Sequence, residues 1–530
     1  MLFHVAYHII LSLLLFACTT HSTILHNPKK HKTVYLNFIS SPLSIDPRKS
    51  TDPITVALSQ MLYEGLTHLE SDGSVTMALA EHITVSSDQT TYTFYLKKSF
   101  WSDGTPLKAS DFAASWQTIL HPTSPVLTAH LLFPIQHAKE VKEGKRLMQE
   151  LGVQALDDIT LRVKLTHPIP YFLQLVSCSC YFPIAPHQQN EACPTSKQEK
   201  KWISNGPFLL ESWEKHDKIV LKKNISFWNA QDVQLDYIYI SLIPDEMTAF
   251  NLFEQNRLDL IGGNLSPIPL DALPSLLQEK KIETHPATTT TFCAFNIHSP
   301  PFNHPSMRKA FGYAINRQAL VLHILQIFHQ PACGLIPPSI YSQMNQQPDN
   351  INHVDLAQHH FQTALEELNI QKEDLPALTY SFYSGDISKK VALFLQNQWE
   401  TVLGVKVHLQ AYEFKVFIDK LHRHDFQFAL MSWIAQYNDP MSFLERFLSK
   451  TTYRNYTGWE HPLFVTLIER SFYQNAKKRL TSLLAAEQCI IDEMPIFPLY
   501  HYDILYLKNP HLKNVTVSPL GHIELRYADI

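Results

Sequence analysis

Apolar and polar positions alternate along several short stretches of the chain. Residues 33–40 (TVYLNFIS) and 160–165 (TLRVKL) do so, and Tyr92, Phe94 and Leu96 interleave with Thr93, Tyr95 and Lys97. This period of two predicts half-buried strands, because successive side chains of a strand point to opposite faces. Residues 219–221, 237–240, 405–409, 426–433 and 496–506 predict further strands. Elsewhere the apolar period lengthens to that of a helix, over 54–67, 245–256, 354–368, 387–403 and 480–491. Met247, Phe250 and Phe253 share one face of the 245–256 segment, and Phe112, Trp116 and Ile119 mark a helix after Pro106. Pro305 suits a first helical position, where a missing N–H costs nothing, and Gly404 stops the helix before it. Between strand 92–97 and the helix after Pro106, Ser102-Asp103-Gly104-Thr105 reads as a turn, since glycine accepts a positive φ. Strands and helices interleave without a repeating period, which predicts a mixed α/β protein and excludes solenoids and propellers.

Length and charge narrow the picture. A chain of 530 residues has room for two or three domains. With 45% hydrophobic and 18% charged residues its composition is that of a folded protein. The net charge, 44 − 49 = −5, gives no reason to expect a nucleic-acid partner. Gly is scarce at 14, so adjacent glycines at 262 and 263 suggest a close backbone approach. No nucleophile-elbow, zinc-protease or phosphate-loop motif is present, and no enzymatic activity or cofactor is expected.

The first 18 residues hold no Asp, Glu, Lys or Arg, and 5–17 are mostly apolar. That run is too short to span a bilayer, which takes about 20 residues, and suits a signal peptide. It ends in Leu15-Phe16-Ala17-Cys18, which resembles a lipobox; the alternative is an ordinary signal peptide with an incidental cysteine. Lipidation at Cys18 would anchor the chain to a membrane, with 19–32 as a polar tether. Cys178 and Cys180 would share one face of a strand, with Cys193 near enough to pair with either. A zinc site is not expected, as no second Cys or His pair sits at ligand spacing.

Residues 92–116 (YTFYLKKSFWSDGTPLKASDFAASW) resemble the hallmark segment of the peptide/nickel-type extracellular solute-binding proteins that serve bacterial ABC importers. Asn205-Gly206-Pro207-Phe208 with 224–229 (NISFWN), 299–303 (SPPFN) with 307–311 (MRKAF), and 433–444 (WIAQYNDPMSFL) resemble three further marked segments of that family. The resemblance implies a two-lobed clamp with an extra domain: lobe I from 33–63, 186–288 and 500–530, the extra domain from 64–185, and lobe II from 289–499. The hinge would lie at the crossings near 289 and 499.

The same resemblance implies function and site. An extended oligopeptide would lie between the lobes, its main chain paired with strand edges, for delivery to the permease subunits of an ABC transporter. The protein would be a periplasmic monomer held to the membrane through Cys18. Relatives hold the peptide ammonium with an acidic residue shortly after the tryptophan of the fourth segment; here that position is Gln436, and a basic residue three before the tryptophan is replaced by Leu430. Either Asp439 substitutes, or the ligand has no free ammonium there. Gly262, Gly263 and Asn264 fall where the family has an edge strand facing the ligand. Trp433 would be an aromatic wall; Phe414 reads first as core and second as wall. Tyr437 and Asn438 would orient the loop. A disulfide of some relatives aligns with Thr289 and Ile434, both lost together here. Two alternatives use the same fold: murein peptides as ligand, or haem or nickel complexes held by His359-His360 or His422 and His424.

Overall fold

The computed structural model describes residues 31–188, 202–326, 329–340, 353–452 and 454–530. The signal segment, Cys18 and Cys193 lie outside them. Fourteen strands carry the argument: β1 (Thr33–Phe38), β2 (Ala80–Val85), β3 (Thr91–Leu96), β4 (Val153–Ala155), β5 (Thr160–Lys164), β6 (Phe208–Glu214), β7 (Lys218–Lys223), β8 (Tyr237–Leu242), β9 (Leu260–Gly262), β10 (Glu283–Phe295), β11 (Leu378–Tyr383), β12 (Val407–Tyr412), β13 (Phe428–Ile434) and β14 (Ile496–Lys508). With them go helices α1 (Pro53–Leu62), α2 (Ala109–Leu120), α3 (Glu246–Glu254), α4 (Pro305–Tyr313), α5 (Val354–Leu368), α6 (Asp386–Leu403), α7 (Phe414–His422), α8 (Pro462–Ser471) and α9 (Ala476–Glu493).

One mixed sheet runs through the molecule in the order β12-β11-β13-β10-β14-β9-β1-β8-β7-β6. Strands β2-β3-β5-β4 form a separate antiparallel sheet. The long strands β10 and β14 are common to both halves of the large sheet. Their pairing slips between Pro286 and Thr290, opposite His501 and Asp503, and again at Thr291/Phe292. This architecture is a mixed α/β two-lobed clamp with an additional domain.

The hallmark segment builds structure. Tyr92, Phe94 and Leu96 are buried on β3 while the residues between them are not. Gly104 sits at φ +88° in the turn, its N–H donating to the Trp101 carbonyl at 2.9 Å. Phe112, Trp116 and Ile119 of α2 are wholly buried. Trp101, also buried, donates its indole N–H to Asp111 at 2.9 Å. None of these side chains is spare for a ligand.

Helix α1 ends at Leu62, short of the expected 67, and the second marked segment is the reason. The Gly206 N–H donates to the Leu62 carbonyl at 2.9 Å. A Cβ on Gly206 would collide with the backbone of Leu62 and Tyr63. The Asn205 amide then bonds both the Glu64 N–H (3.2 Å) and the Glu64 carbonyl (3.1 Å), which turns the chain out of the helix. Helices α3, α5 and α6 match their patterns closely, and Asp245 caps α3 by accepting from Thr248 N–H at 2.7 Å. Met247 departs from the face expected of it: it is exposed, while Phe250 and Phe253 pack inward. Among the described residues no helix is long and apolar enough to cross a membrane.

Candidate functional site

Strand β13 pairs along its full length with β10, from Phe428 opposite Phe295 to Ile434 opposite Thr289. Thr289 and Ile434, aligned with the disulfide of some relatives, therefore face one another directly. On the other side β11 pairs with β13 only at Phe428 and Ala429, although β11 runs on beside β12. Beyond Ala429 that edge of β13 has no strand beside it among the described residues. Its outer side chains meet solvent: Ser432 and Ile434 are exposed and Trp433 is half-buried. An open strand edge of this kind offers main-chain donors and acceptors to an extended chain.

Trp433 is fixed from both ends. Its indole N–H donates to the Ser442 carbonyl at 2.7 Å, and the Arg446 guanidinium lies over its ring at 3.6 Å, with Arg454 at 5.0 Å. The chain then meets residues from far earlier in the sequence. Gln436 Oε1 meets His130 Nε2 at 2.9 Å, and the Cys178 thiol donates to the Gln436 carbonyl at 3.3 Å. Burial, and then the neighbouring Arg454, push the His130 pKa below its ordinary value, so His130 is neutral at pH 7. A neutral imidazole holding a neutral amide leaves no countercharge for an ammonium at this position.

Asp439 is already engaged. Arg479 binds its carboxylate in fork geometry at 2.7 and 2.9 Å, and Oδ1 also accepts the Met441 N–H at 2.9 Å. Asp439 acts as a staple between its loop and α9, and an ammonium would have to displace an arginine to use it. Tyr437 is buried, stacked on Tyr171 at 4.9 Å between centroids, and donates its O–H to Glu445 at 2.8 Å. Asn438 reaches the Gly73 carbonyl at 3.4 Å. These contacts tie the 437–438 segment to Gly73 and Tyr171 on one side and to Glu445 on the other.

Other expectations need correction. Strand β9 lies between β14 and β1, and although it pairs with β1 only at Leu260, the side of Gly262 away from β14 is closed by Ser266, whose carbonyl accepts the Gly262 N–H at 2.7 Å, so Gly262 offers no open edge. The close approach inferred for it is real but is made by the chain itself: Gly262 has φ +132° and a Cβ there would strike Leu505 and Tyr506 of β14. Gly263 and the exposed Asn264 form the turn that follows. Phe414 is not core; it opens α7 at 60% exposure, edge-on to Tyr383 at 5.9 Å. Cys178-Ser179-Cys180 is not a strand, since Ser179–Tyr181 is a 3-10 turn, and Cys178 and Cys180 are free thiols. Among the described residues no group of three or more His, Cys, Asp or Glu could hold a metal. His360 instead stacks on Tyr313, and His424 Nδ1 bonds the Tyr456 carbonyl at 3.0 Å.

Sequence reasoning missed His130, Tyr171, Glu445, Arg446 and Arg454. They come from segments far apart in the chain or from the irregular stretch after 444, where no period marks an inward side chain. Arg446 and Glu445 adjoin the fourth marked segment, and that proximity was the available signal.

Comparison with known proteins agrees with this architecture. The family described as bacterial extracellular solute-binding proteins, family 5, matches residues 74–455. The oligopeptide-binding protein OppA of Bacillus subtilis is 32% identical over 94% of this chain and 93% of its own length. The periplasmic murein peptide-binding protein MppA of Escherichia coli is 27% identical over 90% of this chain and 89% of its own. A crystal structure of a periplasmic oligopeptide-binding protein, OppAIV of Borrelia burgdorferi, superposes with a TM-score of 0.80 at 26% identity, covering 94% of this chain and 99% of that one. A matched span well over half the chain, with a relative of this identity along nearly its full length, places the chain in the family of bacterial extracellular solute-binding proteins, family 5.

Proposed function

We propose that this protein captures oligopeptides between its lobes and delivers them to an ABC importer, without chemistry of its own. The open edge of β13 beyond Ala429, beside Trp433, carries the reading. Main-chain pairing there is blind to side chains, which suits a ligand class of varied sequence. The relatives named for oligopeptide binding support the same conclusion. Within this reading Trp433 forms a wall, Gln436 to Asp439 carry the loop across the cleft mouth, and Phe414 is a second aromatic surface. Gly262, Gly263 and Asn264 shape the facing turn. The lobes follow the boundaries expected above, with 64–185 as the extra domain containing the small sheet. Anchorage through a lipidated Cys18, a monomeric state and a periplasmic location complete the proposal.

The test is binding. Peptide at about 100 times Kd adds about 2.7 kcal/mol to stability, a shift that melting resolves easily. A varied library, with murein peptides as a separate pool, should raise the melting temperature and be recovered intact. Response to nickel chelates or haem but to no peptide would transfer the protein to the metal-complex alternative. Peptide turnover that copurifies with the protein would end the binding-only reading.

A further inference from the structure

His130 sits in the 3-10 turn Leu127–Leu132 with an oxygen against each ring nitrogen. Nδ1 lies 3.1 Å from the Leu127 carbonyl, and Nε2 lies 2.9 Å from the Gln436 amide oxygen. A main-chain carbonyl only accepts, so Nδ1 carries the proton. A neutral imidazole has a single N–H, and its other nitrogen is then a bare acceptor. Nε2 and an amide oxygen share no hydrogen in that state. Two arrangements resolve the conflict. An imidazolium donates to both oxygens, or the ring stays neutral and the Gln436 amide turns over so that its NH2 donates to Nε2. The proton count of one ring therefore decides which end of the amide points away from it.

That outward end is the part of Gln436 left for a ligand. The Gln436 N–H donates to the Ser442 hydroxyl at 2.8 Å, its carbonyl accepts the Cys178 thiol at 3.3 Å, and the inner end of its amide meets His130. The outer atom of the amide has no partner and is not enclosed, and the residue is half-buried, just beyond Ile434 at the end of β13. Two titratable neighbours keep their charge state across mildly acidic pH. Arg454, whose charge acts on His130, stays a cation, and Cys178 stays a thiol because burial pushes it up to about 12. Glu445, bonded to the adjacent Tyr437, is the neighbour that titrates, at about 7.

We propose that His130 is a positioning residue that sets the ligand preference of Gln436. With a neutral ring, the amide oxygen turns outward and accepts an N–H from the ligand terminus. With a protonated ring, that oxygen is drawn back to Nε2 and the NH2 turns outward, which suits a ligand carbonyl and opposes an ammonium. This inference rests on the peptide-binding reading of the cleft. At pH 7 the ring is neutral, and the site offers an oxygen without a countercharge.

The experiment uses the full mature chain and a randomised tetrapeptide library free of Asp, Glu, His, Lys and Arg. The library is made once with free N-termini and once N-acetylated, bound in competition and read by mass spectrometry from pH 7 to pH 4. The ligand α-amino group, with a pKa of about 8, stays charged in this range, and effects of the C-terminus or of the fold enter both pools alike. The preference for the free amine should fall with pH by about tenfold, on a midpoint below the ordinary histidine value. Nitrogen-15 NMR of the ring, assigned by the signal lost in His130→Phe, should place the proton on Nδ1 at pH 7 and on both nitrogens in acid. By reciprocity, free-amine peptides should hold the ring neutral to lower pH than acetylated ones do. His130→Phe keeps a ring of similar size without nitrogens, and its preference should not change with pH. A native preference that is constant from pH 7 to pH 4, or a proton on Nε2 alone at pH 7, would overturn the proposal and leave peptide capture standing. So would a pH dependence that survives in His130→Phe, which would assign the effect to Glu445. The first of these needs no variant, so a misfolded His130→Phe would not spare the idea. Failure of both pools to bind at any pH would remove the peptide reading as well.

Discussion

Glu64 and Arg526 form a buried pair whose disruption should be measurable and pH-dependent. Their side chains are 2% and 4% exposed and meet through two contacts, at 2.9 and 3.1 Å. The pair ties the end of α1 to the C-terminal segment; burial alone would lower the Arg526 pKa, but the Glu64 carboxylate, with Glu524 beside it, holds it above even its ordinary high value. Arg526→Met keeps much of the packing volume and strands the Glu64 carboxyl without a cation. Removal of one partner of a buried pair costs about 3–5 kcal/mol. The carboxyl can instead take up a proton. For an ordinary glutamate pKa of about 4.3 this costs about 1.36 × 2.7, or about 3.7 kcal/mol, at pH 7 and about 1 kcal/mol at pH 5. At pH 7 the two figures coincide, and at pH 5 protonation is the smaller cost and governs, so Arg526→Met should destabilise by about 3–5 kcal/mol at pH 7 and by about 1 kcal/mol at pH 5. Glu64→Gln in the same chain should recover most of the loss at pH 7, because no anion remains to be neutralised. Equilibrium urea unfolding followed by circular dichroism, at both pH values, makes the measurement. A loss of equal size at pH 5 and pH 7 would mean that packing, not charge, dominates, and the reasoning would be wrong.

Three further outcomes are expected. Glu487 is buried on α9 and accepts the Ile336 N–H at 2.8 Å, and burial raises its pKa to about 7. Its folded-state pKa lies above the unfolded value, so the stability it contributes is present below about pH 4.5 and is lost as pH rises to 7; Glu487→Gln should therefore gain on the native protein by up to about 3 kcal/mol across that window, and a pH-independent difference in urea midpoints would refute this. Gly262→Ala should cost clearly more than Gly104→Ala, because both glycines have positive φ but only Gly262 is pressed against backbone; equal midpoints would show that β9 can move away from β14. Cys18→Ser should move the protein from the membrane to the soluble fraction and abolish acyl labelling, whereas unchanged membrane retention would place the anchor elsewhere.

Much of the fold was legible because local pattern and tertiary structure agree. Tyr92, Phe94 and Leu96 face a core on the period that predicts a strand, and α5 spans the residues its periodicity marks. Disagreement arises where distant segments intervene. Asn205 and Gly206 cut α1 short from about 140 residues away. The stretch through Cys178 and Cys180 folds as a short turn that seats Tyr181 against Trp116 and Phe172, with Cys180 buried and Cys178 partly exposed, so its burial does not follow a strand period. At the site, Gln436 was visible as an oddity of charge, but its partner His130 lies 306 residues earlier. Arg446 carries no sequence signal of burial; only the folded chain shows that its donors are unmet.

The position of β14 has a consequence for how the protein comes to be folded. This strand, at residues 496–508, separates β10 from β9 and pairs with both. Until it is synthesised, the large sheet is two partial sheets, each ending in an open edge. The chain must therefore emerge as far as residue 508 before the halves can join, and the closing contacts span more than 200 residues on the β10 side. Contacts of such sequence separation form slowly, and the waiting edges of β9 and β10 are surfaces on which a second chain could add. A chain truncated before residue 496 should thus not give half a clamp that works. It should give a protein that associates through those edges, and one exported unfolded would need protection until residues 496–508 arrive.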